Sequence, residues 1–192
     1  MRSPARYTGL PLPPYRFVPG RTPHPYRDPA GYAYGQRGEH ASAIRLAPPE
    51  RWSENVEYLF GCDLYNQGYW WEAHEAWEGL WRSANANTTQ RRFLQALILA
   101  TVCHLKLEMG VLAAVQRLRA RANRRLLQVA KDIAGDTFMG IRVWPWYETL
   151  REYYQRILAP GTEGPAHDPA NYPYIWLTGI CSGLRPAGTE LA

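Results

Sequence analysis

Residues 69–84 read YWWEAHEAWEGLWRSA, and this stretch decides the fold class. At about 100° per residue, Trp70, His74, Trp77, Glu78 and Trp81 fall within roughly one 100° arc of a helix, while Glu72, Glu75, Gly79 and Arg82 fall on the other side. The spacing predicts an amphipathic helix whose inward face carries an imidazole and a carboxylate among three indoles. His74 and Glu78 stand at i, i+4, where side chains on one helix meet.

Working outward, the same periodicity recurs four more times. A first helix is expected over 48–68, opening at Pro48-Pro49-Glu50 and presenting Val56, Leu59, Phe60 and Leu64 at helical spacing. Gly68 is expected to end it in a positive-φ turn. The polar break NANTTQ supplies Thr88 or Thr89 as N-cap for a third helix that runs to Met109. That helix is apolar nearly all round (Phe93, Leu94, Leu97, Ile98, Val102, Leu105), which predicts a central position. A fourth helix over 111–131 has Val111, Val115, Leu118, Ala122, Leu126 and Val129 as its buried stripe, opposite Arg117, Arg121, Arg124 and Arg125. Pro145 opens a fifth, with Trp146, Leu150, Tyr153 and Ile157 on one face.

The fold class is therefore all-α, a bundle of about five helices over 49–159, with short connections that favour antiparallel neighbours. Helix two and helix three are expected to pack antiparallel. Residues 1–48 are dense in Pro, Gly, Arg and Tyr, too rich in proline for a helix or central strand, and read as an irregular arm wrapped over the body. Residues 160–192 read as an irregular tail. No alternation long enough to build a sheet is present.

Composition narrows the function. Among the 192 residues are eight Trp and thirteen Tyr, rings that suit a ligand cleft as well as a core. Three cysteines without C-x-x-C spacing indicate neither a disulfide framework nor a zinc ribbon, and the chain is read as cytoplasmic. No segment is long and apolar enough to suggest membrane insertion. The net charge of +5 is concentrated around 117–131, so the arginines are read as a solvated face and nucleic acid is not the expected partner. A small-molecule ligand is expected, and a homo-oligomer is left open. P-loop, G-x-S-x-G and dinucleotide fingerprints are all missing from the sequence.

The pair on helix two admits two readings. In the first, His74 and Glu78 are ligands of a divalent metal (Zn, Fe, Mn or Ni), with His24 as a further ligand, or Glu78 or Glu75 acts as a catalytic base. The cleft would lie between the first three helices, lined by Tyr65, Asn66, Trp70, Trp77, Trp81 and Gln95. Asp28, His104 and Asp136 are additional candidate ligands, although His104 on the apolar third helix reads rather as a packed histidine. In the second reading the pair is buried structure in a non-catalytic interaction module, with Glu78 accepting from His74 and from the Tyr65 hydroxyl or the Asn66 amide.

The stretches FGCDLYNQGYWWEAHEAWEGLW and FLQALILATVCHLKLEMG resemble the domain-of-unknown-function 309 family, small helical proteins of bacteria and archaea, over roughly 54–127. Its H-x-x-x-E-x-x-W/Y pattern maps onto His74, Glu78 and Trp81. The resemblance implies no established activity, only a motif that looks functional and metal-binding. The arm is similar to the leader of longer bacterial members, but Gly31-Tyr32-Ala33-Tyr34 stands where those read G-H-S-Y, and Gln95-Ala96 where Gln-Gly is commoner. Any metal site in those members that needs the leader histidine therefore lacks that ligand here.

Overall fold

A computed structural model describes residues 6–36, 46–159 and 172–179. Five α-helices make up most of them: α1 Val56–Asn66, α2 Trp70–Ser83, α3 Thr89–Glu108, α4 Leu112–Asp132 and α5 Val143–Ile157. The all-α class is thus observed.

Capping sets the boundaries. The expected first helix is interrupted: Pro49–Glu54 forms only 3-10 turns, and α1 starts afresh at Asn55, whose side chain accepts the Tyr58 amide at 2.8 Å. Val56 therefore lies in the first turn of α1 and is exposed rather than part of an inner stripe. Gly68 adopts φ 78° and turns the chain into α2, as expected. Thr88 caps α3 by accepting the Arg91 amide at 3.2 Å. Between α4 and α5 a two-residue hairpin, β1 Thr137–Phe138 and β2 Ile141–Arg142, turns through Met139 and Gly140, both with positive φ. It is too short to show as an alternating pattern.

Ring contacts define the packing directions. Trp70 at the start of α2 stacks on His104 near the end of α3, with ring centres 5.5 Å apart. At the other end, Arg91 of α3 donates to the carbonyls of Trp81 and Ala84. Helices α2 and α3 are therefore antiparallel. Trp77 of α2 reaches back to the Tyr58 carbonyl of α1, and Arg92 of α3 pairs with Asp132 of α4 at 2.6 Å, so these neighbours are antiparallel too. The third helix is central, burying Phe93, Leu94, Leu97, Ala100 and Cys103 among others. On α4, Val115, Ala122, Leu126 and Val129 are buried, whereas Val111 is exposed just before the helix begins. Arg117, Arg121 and Arg124 face solvent.

Two irregular segments complete the body. Asp63, fully buried on α1, accepts the amides of Tyr7 and Thr8 and the Thr8 hydroxyl, and lies 3.3 Å from Arg6. Farther along the arm, the Arg21 side chain donates to the Glu108 carbonyl. Residues 172–179 enter the core on the other side: Asn66 exchanges two hydrogen bonds with the Ile175 backbone, and Tyr172 donates to the Tyr65 carbonyl. The remainder of the expected tail, with Cys181, lies outside the described residues, as do 37–45 of the arm. Cys62 and Cys103 are free, buried thiols.

Candidate functional site

Helix α2 is buried on two faces. The face toward α1 and α3 is Trp70, Ala73, Trp77 and Leu80, continued by Ala84. His74 and Glu78 are on its flank, a quarter exposed at their side chains, and this corrects the expectation that they point inward with Trp77. A purely apolar ladder at 3-4-3-4 spacing outcompetes an arc that would have to desolvate an imidazole and a carboxylate. Glu78 instead pairs with Arg82 at 3.0 Å, one turn on, and has no contact with Tyr65 or Asn66 among its hydrogen bonds. The Tyr65 hydroxyl meets His104 Nε2 at 3.0 Å and the Pro173 carbonyl. The dry, capped His74–Glu78 pair of the second reading is not what the helix holds.

His74, Glu75 and Glu78 come together, each offering a ligand atom within 4.8 Å of the others. His74 Nδ1 is 3.4 Å from Glu75 Oε1 and is a buried atom without a hydrogen-bond partner among the described residues. One imidazole nitrogen and two carboxylates suit a borderline divalent cation, so the donor set fits. His24 does not join this group. Its ring packs against Phe17 and Trp71, and its Nδ1 accepts the Tyr26 amide at 3.2 Å, a structural position. Asp28 closes a turn on the Ala30 amide, and Asp136 pairs with Arg142, the Thr137 hydroxyl and that arginine holding its carboxyl below the usual range. His104 is a packed histidine, ringed by Tyr65, Trp70, Tyr154 and Tyr172.

The expected pocket lining is distributed differently. Tyr65 and Trp77 are fully buried core, and Trp70 and Asn66 nearly so. Trp81 is half-buried beneath the Arg91 guanidinium, 4.2 Å from its ring centre, and Gln95 is half-buried on α3. A cavity of about 650 Å³ opens instead on the opposite face of α2, between that helix, α1 and the arm. Phe60, Leu64, Trp71 and Ala76 form apolar walls, and Tyr26 and Tyr32 come from the arm. Three carboxylates border it, Glu57, Glu72 and Glu75, so Glu75 belongs both to the His74 cluster and to the cavity.

Glu72 is the buried carboxylate of α2, 6% exposed. Its Oε1 accepts the Phe17 amide at 2.8 Å and the Tyr32 hydroxyl at 3.4 Å, while Oε2 has no hydrogen-bond partner among the described residues. Burial pushes its pKa up to about 7, against the pull of those two donors and of Arg16. Burial and the Glu72 charge also raise the Tyr32 hydroxyl. Periodicity alone places Glu72 on the outer face of the helix. The available signal was the Trp70-Ala73-Trp77-Leu80-Ala84 ladder, which turns Glu72 away from the helical core and leaves it for the arm to cover.

Fold and site together define a small all-α domain whose second helix carries a His/Glu/Glu cluster beside an aromatic, acidic cavity. The family model for DUF309, a domain of unknown function, matches residues 58–118, from α1 into α4 and across His74 and Glu78. No match was found among curated proteins or among solved structures. Among the described residues no helix is long and apolar enough to cross a membrane.

Proposed function

We propose that this protein is a metal-dependent enzyme of small-molecule hydrolysis, in which His74, Glu75 and Glu78 hold a divalent cation (Zn, Fe, Mn or Ni) at the rim of the cavity. The single observation that carries the reading is the convergence of three ligand atoms within 4.8 Å on a partly solvent-exposed helix face, one of them from a residue that also lines the cavity. A cation held there would supply Lewis acidity. The chain's own residues bind and position: the apolar walls desolvate the body of a ligand, and Glu75 connects it to the cluster. The exposed Arg82 guanidinium neutralises Glu78 while no stronger cation competes.

Support comes also from what the cluster lacks. A purely structural pair would have its polar atoms satisfied, whereas the buried His74 Nδ1 has no hydrogen bond among the described residues and only the Glu75 carboxylate at 3.4 Å. The test is elemental analysis of protein purified without a metal-affinity tag, followed by melting with added Zn, Mn or Ni salts. At a hundredfold excess over its dissociation constant, a bound metal stabilises the wild type by about 2.7 kcal/mol and leaves His74→Ala unchanged. Melting of the wild type that no divalent metal shifts would overturn the proposal.

A further inference from the structure

Glu72 has no part in the metal reading, and the inference drawn from it concerns what the cavity beside that cluster binds, with or without a metal. We infer that the cavity between the arm, α1 and α2 is a binding site for a small organic cation, a primary ammonium compound with an apolar or aromatic body, and that Glu72 is its counter-ion.

Three observations lead there. First, the lining is acidic: Glu57, Glu72 and Glu75 border the cavity, and its one Lys or Arg, Arg82, is engaged with Glu78. An anionic ligand would enter against three carboxylates, whereas a cation meets complementary charge. Second, Glu72 is more than nine-tenths buried, yet its Oε2 has no hydrogen-bond partner among the described residues. A desolvated carboxylate oxygen without a donor is costly, and an ammonium group brings three donors with the opposite charge. Third, the walls are rings. Tyr26, Tyr32, Phe60 and Trp71 surround the space, apolar surface for the body of the ligand and π-faces for its charged end. At about 650 Å³ the cavity is in the range of small-molecule sites, larger than an ammonium ion alone needs.

The arm completes the site rather than merely covering it. Phe17 and Tyr32 hold Oε1 of Glu72 by their amide and hydroxyl, which fixes the carboxylate at the cavity wall. The charged and titratable groups around Glu72 are Arg16, His24, Tyr26 and Tyr32 of the arm, Glu57 of α1, and Glu75 and Arg82 of α2. Of these, Arg16 draws Glu72 toward ionisation but is itself shared with Glu108 and the Gly68 carbonyl.

The experiment is calorimetric titration of the full chain, in EDTA so that no metal contributes, with three compounds of one shape: 2-phenylethylammonium, neutral 2-phenylethanol and anionic 3-phenylpropionate. At pH 8 the ammonium compound is expected to bind saturably and at least about tenfold more tightly than the alcohol, a difference of about 1.4 kcal/mol, with no binding of the carboxylate. Glu72→Gln, which keeps shape and removes charge, brings the ammonium down to the affinity of the alcohol. Should that variant not fold, the wild type decides alone. Equal affinity for alcohol and ammonium, preference for the carboxylate, or no saturable ammonium binding at millimolar concentration would each overturn the inference. Because metal is chelated throughout, these outcomes are separate from the fate of the His74 cluster.

Discussion

The Phe17 amide donates to Oε1 of Glu72 at 2.8 Å, joining the arm to α2 across 55 positions of sequence. The bond buries a carboxylate that helical periodicity leaves in solvent. The covering arm is thus part of the titration behaviour of the protein as well as of its cavity.

A folded-state pKa raised from 4.5 to about 7 means that the native state holds the Glu72 proton more tightly than the unfolded chain. The associated stability is fully present below about pH 4.5 and is lost as pH rises through about 7, so this group makes the protein more stable near pH 5 than near pH 8, by up to about 3 kcal/mol. Denaturant midpoints of wild type and Glu72→Gln across that range check it. The variant should lack this component, and an identical pH profile for both proteins would show that Glu72 titrates normally.

Glu78→Ala is expected to cost little. Its carboxylate is about a quarter exposed and its partner Arg82 about two-thirds exposed, so the pair is a surface ion pair worth under about 1 kcal/mol. If the cluster holds a metal, Arg82→Ala should tighten it severalfold by removing the competing cation, whereas Glu78→Ala should weaken it. Metal titrations followed by melting temperature measure both effects.

Trp77 packs across Gly61 so closely that a Cβ there would come within 2.7 Å of its ring carbons. Both positions are fully enclosed, and Trp77 is further held by its hydrogen bond to the Tyr58 carbonyl at 3.2 Å. Gly61→Ala gains about 1 kcal/mol of helix propensity but overpacks the α1–α2 contact, a cost of about 1–3 kcal/mol. A lower melting temperature is the expected result.

Asp63→Ala should release the arm. The buried carboxylate accepts two amides and a hydroxyl from Tyr7 and Thr8, and its loss leaves those donors and Arg6 without their acceptor, at about 3–5 kcal/mol. Limited trypsin digestion reads the consequence directly: cleavage after Arg6 and Arg16 should accelerate well beyond the wild-type rate while the helical core persists by circular dichroism.

Much of the framework was legible in the residues themselves. Thr88 capping α3, Gly68 turning into α2, the central place of α3 and the Val115, Ala122, Leu126, Val129 stripe of α4 all follow from local chemistry and a 3.6-residue period. The family resemblance was carried by the His74, Glu78 and Trp81 spacing, within the matched stretch. Legibility ended where one helix has two buried faces. Periodicity places a single apolar arc, and on α2 it drew that arc through His74 and Glu78 although Ala73 and Leu80 completed a better one. Sequence alone therefore determined the number and order of the α-helices, the Thr88 cap and the Gly68 turn, because these depend on residues within a turn or two of one another, while it ran the first helix back past the Asn55 cap to Pro48. Only the tertiary structure decided that Glu72 rather than Glu78 is buried, that Glu75 joins the cluster to a cavity, and that the cavity lies under the arm. Those outcomes depend on a proline-rich segment some 55 residues upstream, whose docking hydrogen bonds leave no periodic trace.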